Sequence, residues 1–361
     1  MQSFIRDLAR ALQERGHSVM AYAAGITTQR LLENDLVPIV PDLRQLKLKP
    51  DLIHTQNHLD AMAALAALPD RPALYHAHGA TWRDGAPLHP RIYRYLAVSR
   101  TLAERITVES GLPPEKVGVL LNGIDIRRFK HIRELPARPA KALFYNSRIR
   151  ADSGLVAAAQ TACAVRGIQL DCIGYHFGQT TKEPETLLPH YDIVFASGIA
   201  ALEALACGCA VIVIGRSSTG PLVTPQNFEA LRSVNLSLAS NVPEPSAEHV
   251  GAELDRYDAE SGALVTRMAR EQGNFQHLAE QLEGHYHAVL ADHQSAQPQS
   301  GAEIEAMGRY LEYIAPLIKT ADEVLDRTWG SPVRASNFDE LHTQVLLLEK
   351  EVRQATLPPA P

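Results

Sequence analysis

Apolar positions recur along this chain with two periods, and each period marks a kind of element. Residues 4–15 place Phe4, Ile5, Leu8, Ala11 and Leu12 on one face at helical spacing, and Gly16 stops the run. That stripe needs a sheet to cover it. Up to about residue 130, short β-rich runs alternate with helical stretches. The runs 18–23, 36–40, 51–55, 73–76, 95–99 and 117–121 read as strands, most of them ending in a polar or Gly-containing turn. Such alternation predicts parallel strands joined by crossover helices, a Rossmann-like arrangement.

Around residues 131–141 the periodicity disappears, and Pro136 and Pro139 stand among basic residues, as in a linker. A second alternating series follows. Residues 142–146, 169–173, 192–196 and 210–214 read as strands, and 155–166, 199–206 and 225–233 as helices. From 247 to 291 the pattern is helical and mixed in charge, closing with 275–290. The chain therefore reads as an α/β domain over 1–130, a linker over 131–141 and a second α/β domain over 142–291. A Gln-, Ser- and Pro-rich connector over 292–301 leads to a tail over 302–361. In the tail, 304–329 and 338–353 read as helices, the second with Leu341, Val345, Leu348 and Val352 as one stripe. A helical pair or short coiled coil is expected there, and with it a surface for self-association.

Length and charge narrow the picture. A chain of 361 residues suits two domains, each with its own core. A net charge of -6 without a basic stripe argues against nucleic acid as a partner. No apolar run reaches the roughly 18 residues that cross a bilayer, and the amphipathic opening is unlike a signal peptide, so a cytoplasmic location is expected. The cysteines at 163, 172, 207 and 209 lack metal-ligand or redox spacing and read as small core residues. No metal site is expected.

The densest chemical signal is YDIVFASGIAALEALACGCAVIVI over residues 191–214, which reads strand, turn, helix, Gly, strand. Glu203 is the polar residue of that helix, and a carboxylate among alanines and leucines needs a partner or a cavity. The turn Ser197-Gly198 leaves backbone N–H groups at the helix N-terminus, a ready anion site. Phosphates at Ser197 and ribose hydroxyls at Glu203 would lie about one to two helical turns apart.

These residues resemble a known family. LEALACGCAVIV (202–213) is similar to the E-A-M-A-x-G-x-P-V-I block of retaining GT-B glycosyltransferases of family four. Val98-Ser99, Leu102-Ala103, VLLNGID (119–125) and Arg128-Phe129 resemble a second block, and LARALQERGH (8–17) resembles the opening helix. Together the blocks span about residues 4–290. The resemblance implies a GT-B fold, two Rossmann-like domains facing a cleft, with a nucleotide-diphosphate-sugar donor on the second domain and the acceptor on the first. It implies a metal-independent, cofactor-free hexosyltransferase-like reaction in carbohydrate biosynthesis. The acceptor would be a glycan or a lipid-linked sugar, the latter calling for peripheral membrane contact. Glu203 would bind the donor ribose. Arg148 matches a diphosphate-facing Arg, and Arg150 is a candidate second cation because Ser153 stands where the family has Lys. Phe195 occupies the place of a second Glu near the donor sugar.

On the first domain, His78-Gly79 resembles the family's His-Gly at the catalytic cleft, which makes His78 the catalytic candidate. A strand-end His is well placed, since ligands sit beyond the carboxyl ends of the strands. His54, with His58 beyond it, and Asn122-Gly123 are candidates for lining the cleft. The family begins with a strand and a Gly-Gly loop before the opening helix, and neither precedes Phe4, so a truncated start is expected. Two further readings stand beside an active transferase: a noncatalytic GT-B module for binding or assembly, and a GT-B sugar-nucleotide enzyme such as an epimerase.

Overall fold

In the computed structural model, which describes residues 2–23, 37–40, 42–46, 49–79, 85–238, 245–296 and 300–329, the chain opens with helix α1 (Gln2–Glu14). Strands β1 (Ala21–Tyr22) and β2 (Ile39–Val40) follow and pair in parallel. Next come β3 (Ile53–Thr55), α2 (His58–Ala67), β4 (Ala73–Ala77), β5 (Ile92–Ala97), α3 (Arg100–Ser110) and β6 (Val117–Val119). Strands β3 to β6 lie side by side in chain order, all parallel. Among the described residues no strand precedes α1, and β1 and β2 pair only with each other. The α1 stripe is buried as its period demands. Phe4, Leu8, Ala11 and Leu12 pack with Leu74 of β4, Leu96 of β5 and Leu120.

The second series holds β7 (Lys141–Tyr145), α4 (Gly154–Val165), β8 (Gln169–Ile173), the short α5 (Pro184–Leu187), β9 (Ile193–Ala196), α6 (Ile199–Ala206) and β10 (Ala210–Ile214). After these come β11 (Thr219–Leu222), α7 (Phe228–Ser233), α8 (Ala247–Leu254), α9 (Ala259–Gln272) and α10 (Phe275–Ser295). The sheet order is β11-β10-β9-β7-β8, parallel except for β11. Both faces are covered, so the strands read as unbroken apolar runs. Val194, Val211 and Val213 face α6 and α9, while Ile193, Phe195, Ile212 and Ile214 face α4 and α8.

The linker is pinned to the second sheet. Asp192 accepts hydrogen bonds from the backbone N–H of Ala140 (2.8 Å) and Lys141 (2.9 Å), and Arg133 pairs with it at 2.6 Å. Sequence order assigns α10 to the second domain, but the helix packs on the first. Phe275, Leu278, Ala279, Leu282 and Val289 join the α1 cluster. Residues 1–298 thereby form one compact unit.

The second unit, 299–361, is described through α11 (Ser300–Trp329), with Ile304, Leu311 and Ile318 exposed. The expected helix over 338–353 lies outside the described residues. No helix among the described residues is long and apolar enough to cross a membrane.

Candidate functional site

From β7 the chain runs to β8 on one side of the sheet and then to β9 on the other. The carboxyl ends of β7 and β9 therefore flank a topological switch point, where an open α/β sheet leaves a crevice. Beyond β7, the Asn146 side chain accepts from the N–H groups of Arg148 (2.7 Å) and Ile149 (3.0 Å), and this tight turn sends the Arg148 side chain to solvent. Arg150 is committed elsewhere, paired at 2.9 Å with the exposed Asp152. Ser153 caps α4, accepting from the N–H of Val156. Beyond β9, Gly198 takes φ 62° and ψ −135°, a conformation strained for any residue with a Cβ. Its N–H donates to Leu236 O (3.1 Å), and the N–H groups of the first turn of α6 have no intrahelical acceptor.

Glu203 lies on α6 and is only 5% exposed. Arg128 stands 3.8 Å from its carboxylate and also pairs with Asp7 of α1 and Glu185 of α5, both at 3.1 Å. One guanidinium thus joins both domains. Its Cζ lies 4.5 Å from the Phe129 ring centroid. Burial pushes the Glu203 carboxyl up to about 7, with Arg128 pulling it down and Asp7 and Glu185 pushing it further up. The phenol of Tyr145, at the end of β7, is raised by burial and by the Glu203 charge. Phe195 is fully buried in β9, stacked on Phe144 at 6.0 Å between ring centroids. That strand position points into the core and presents nothing to the crevice.

The first domain contributes a row of imidazoles. His54 and His76 lie 5.7 Å apart between centroids, His76 and His78 lie 4.4 Å apart, and Phe4 of α1 packs edge-on to His78 at 4.6 Å. His54 Nδ1 meets the Tyr286 hydroxyl at 2.7 Å, and Nε2 of both His54 and His78 is buried without a partner among the described residues. Burial lowers His54 to about 4 and His78 to about 3, so both rings are neutral at physiological pH. His58 is buried in the first turn of α2. Among the described residues no hydrogen bond or ring contact joins this row to Glu203 or Gly198.

Asn122 does reach across. Its Nδ2 donates to Asn235 Oδ1 (2.8 Å), in the loop that receives the Gly198 N–H, and its carbonyl accepts from Arg232. Gly123 packs closely, and a Cβ there would come within 3.3 Å of Gly273 O and Phe275 Cα. The structure therefore gathers Ser197, Gly198, Glu203 and Asn122 around α6, with Arg148 at the neighbouring strand end. It ties Arg150 to Asp152 and keeps His54 and His78 in their own row. Arg128, Asp7, Glu185, Tyr145, Arg232 and Asn235 were not singled out from the sequence as site residues. Of these, Arg128 alone had a signal, its place beside Phe129 in the second block. An open groove of about 770 Å³ lies between the linker and α9, beside Ile132, Leu135 and Ala263, and includes none of the candidate residues.

Comparison with known proteins agrees with this architecture. No curated protein matches the sequence. Among solved structures, the chain is similar to a glycosyltransferase from Rickettsia africae ESF-5, at 12% identity and a TM-score of 0.60, over 80% of this chain and 94% of that one. A looser likeness is to the glycotransferase of kitacinnamycin, at 14% identity and a TM-score of 0.49, over 78% and 95% of the two chains. Another is to a Listeria monocytogenes protein assigned as a UDP-N-acetylglucosamine 2-epimerase, at 13% identity and a TM-score of 0.46, over 78% and 91%. The chain has the GT-B fold, and its residues 1–128 match the family model Glycosyltransferase Family 4.

Proposed function

We propose that this chain is a glycosyltransferase that takes a nucleotide-diphosphate-sugar in the crevice beyond β7 and β9 and passes the sugar to a carbohydrate or lipid-linked acceptor on the first domain. The observation that carries the reading is Glu203, a buried carboxylate within α6, whose opening turn offers free N–H groups at the switch point. In this reading the α6 N-terminus and Arg148 face the diphosphate, Glu203 takes the ribose hydroxyls, and His78 serves the sugar and acceptor. Negative charge developing on the leaving nucleoside diphosphate is answered by helix N–H groups and fixed cations, so the proposed reaction runs without a metal. Retention of configuration comes from the family resemblance.

The test is a thermal-shift series with UDP, GDP, ADP and their sugars on the wild type and Glu203→Ala. A ligand at a hundred times its Kd stabilises by about 2.7 kcal/mol. One nucleotide should raise the wild-type melting temperature and leave the variant unmoved. If none does so for the wild type, the donor site is wrong. A noncatalytic binding module is the second reading, favoured by Phe195 in the core and by Ser153 used as a helix cap. Radiolabelled donor separates the two, because a binding module stabilised by the nucleotide releases no sugar with or without acceptor.

A further inference from the structure

We infer that Arg232 is a ligand for the diphosphate of the donor, completing an anion site whose other half is the N-terminus of α6; this rests on the donor reading above. Arg232 is 3% exposed. Its guanidinium donates from Nη2 to the carbonyl of Asn122, while Nε and Nη1 are buried with no partner among the described residues. Among the described residues no carboxylate pairs with it. Glu229, whose field reaches it, is hydrogen-bonded to Gln272 instead. A buried guanidinium with vacant donors is expensive to keep unless an anion completes it.

The surroundings say which anion fits. The Arg232 carbonyl accepts from the N–H of Asn235 (2.9 Å), Asn235 Oδ1 accepts from Asn122, and the next residue, Leu236, accepts from Gly198 N–H. Asn235 and Leu236 both hold positive φ, 59° and 48°, and so turn this loop back onto the start of α6. The Asn235 amide comes within 3.6 Å of the place a Gly198 Cβ would occupy. The guanidinium, the loop and the helix opening therefore belong to one network. A diphosphate spans such a pair of donor groups, with one phosphate on the helix N–H groups and the other on the guanidinium. Beyond β7, Arg150 is paired with Asp152 and Ser153 is taken up as a helix cap.

The test is titration calorimetry on the full chain with inorganic pyrophosphate, with UDP, GDP and ADP, and with the matching nucleosides. Arg232→Met should weaken pyrophosphate and the preferred nucleoside diphosphate by roughly ten- to a hundredfold, the size of a charge-assisted hydrogen bond, and leave the nucleoside unchanged. Arg232→Lys should recover part of the loss. Glu203→Gln should show the reverse pattern, losing the nucleoside and keeping pyrophosphate. Equal pyrophosphate affinity in Arg232→Met and the wild type overturns the assignment. A wild type that binds pyrophosphate but no nucleotide upholds the anion site and overturns the donor reading, whereas binding of neither overturns both. Should the Met variant fail to fold, the Arg232 Nε–H resonance of the wild type decides. It should shift on addition of pyrophosphate, and a signal that stays in place refutes the contact.

Discussion

At the scale of single residues, Glu203 is under opposing demands. Its carboxyl, held near 7 by burial, ionises in the unfolded chain at about 4.5. Folding stability therefore falls as pH rises from 4.5 to 7, by on the order of 3 kcal/mol in all, and stays low above that. Glu203→Gln removes the charge and keeps the shape. Urea unfolding should show the variant more stable than the wild type by about 1–3 kcal/mol at pH 8 and equal to it at pH 5, even as nucleotide binding is lost. A variant less stable at pH 8 would mean that the Arg128 contact outweighs the burial. Arg128 carries the converse prediction. It answers Asp7, Glu185 and Glu203 together, so Arg128→Met leaves buried carboxylates uncompensated and should cost about 3–5 kcal/mol at pH 8. The loss should shrink toward pH 5 as Glu203 takes up a proton, and a loss independent of pH would refute the charge argument. Glu203 and Gly198 were legible in the sequence because a lone carboxylate in an apolar helix, and a glycine before it, stand out locally. Arg232 and Asn235 were not, because their meaning lies in Asn122, more than a hundred residues away.

At the scale of elements, the turn from α6 to β10 shows how tightly one glycine fixes the helix that bears Glu203. Gly208 has φ +90°, and a Cβ there would sit 2.4 Å from the carbonyl oxygen of Arg133. Strain and overlap together should make Gly208→Ala cost about 2–4 kcal/mol in chemical denaturation. Gly154, the first residue of α4, has nothing within 4 Å of its would-be Cβ. Gly154→Ala should therefore be neutral or stabilise by up to about 1 kcal/mol. Equal losses in the two variants would discard the argument. Strands 169–173 and 210–214 and helix 199–206 have the bounds their periodicity gives. β11 is not legible in the sequence, since Gly220-Pro221 breaks strand grammar. An edge strand tolerates it, because Pro221 needs no ladder partner on its open side. There the Glu253 carboxylate takes the Leu222 N–H at 2.7 Å. In the first domain, strand runs of five or six residues shrink to pairs at β1 and β2. Sequence patterns do not show how many neighbours a strand will find.

At the scale of the molecule, the two sheets are held together by parts that sequence order separates. α10 returns to cover the first sheet. An apolar stripe tells that a helix is buried but not which sheet buries it, so sequence order placed this helix on the wrong side. Arg270 of α9 donates to the carbonyls of Phe129 (2.6 Å) and Ala206 (3.0 Å), binding the end of the first domain to the end of α6. Beneath α1 and α10 lies the histidine row. The structure must keep it neutral, because burial holds His54 near 4, His78 near 3 and His76 well below the ordinary value. His89, held near 4 by burial and by Arg91, adds to the same term. The unfolded chain binds these protons from about 6.5 downward, so stability is full above that pH and is lost as pH falls toward the folded values. His54, His78 and His89 each cost about 2 kcal/mol by pH 5, His76 acts in the same direction, and Glu203 returns about 2 kcal/mol between pH 7 and 5. The balance of His54, His78, His89 and Glu203 is a net loss on the order of 4 kcal/mol between pH 7 and pH 5, deepened by His76, well before Glu283, lowered to about 2 by Arg15 and His17, gives up its charge. Urea unfolding at pH 7, 6 and 5 should show this fall. His76→Leu should make the fall shallower, because one group that the unfolded chain protonates and the folded chain keeps neutral is removed. Stability that holds level from pH 7 to 5 would show that the row takes up protons in place, and would mean that the cover of α1 and α10 over the first sheet opens to water more readily than its packing implies.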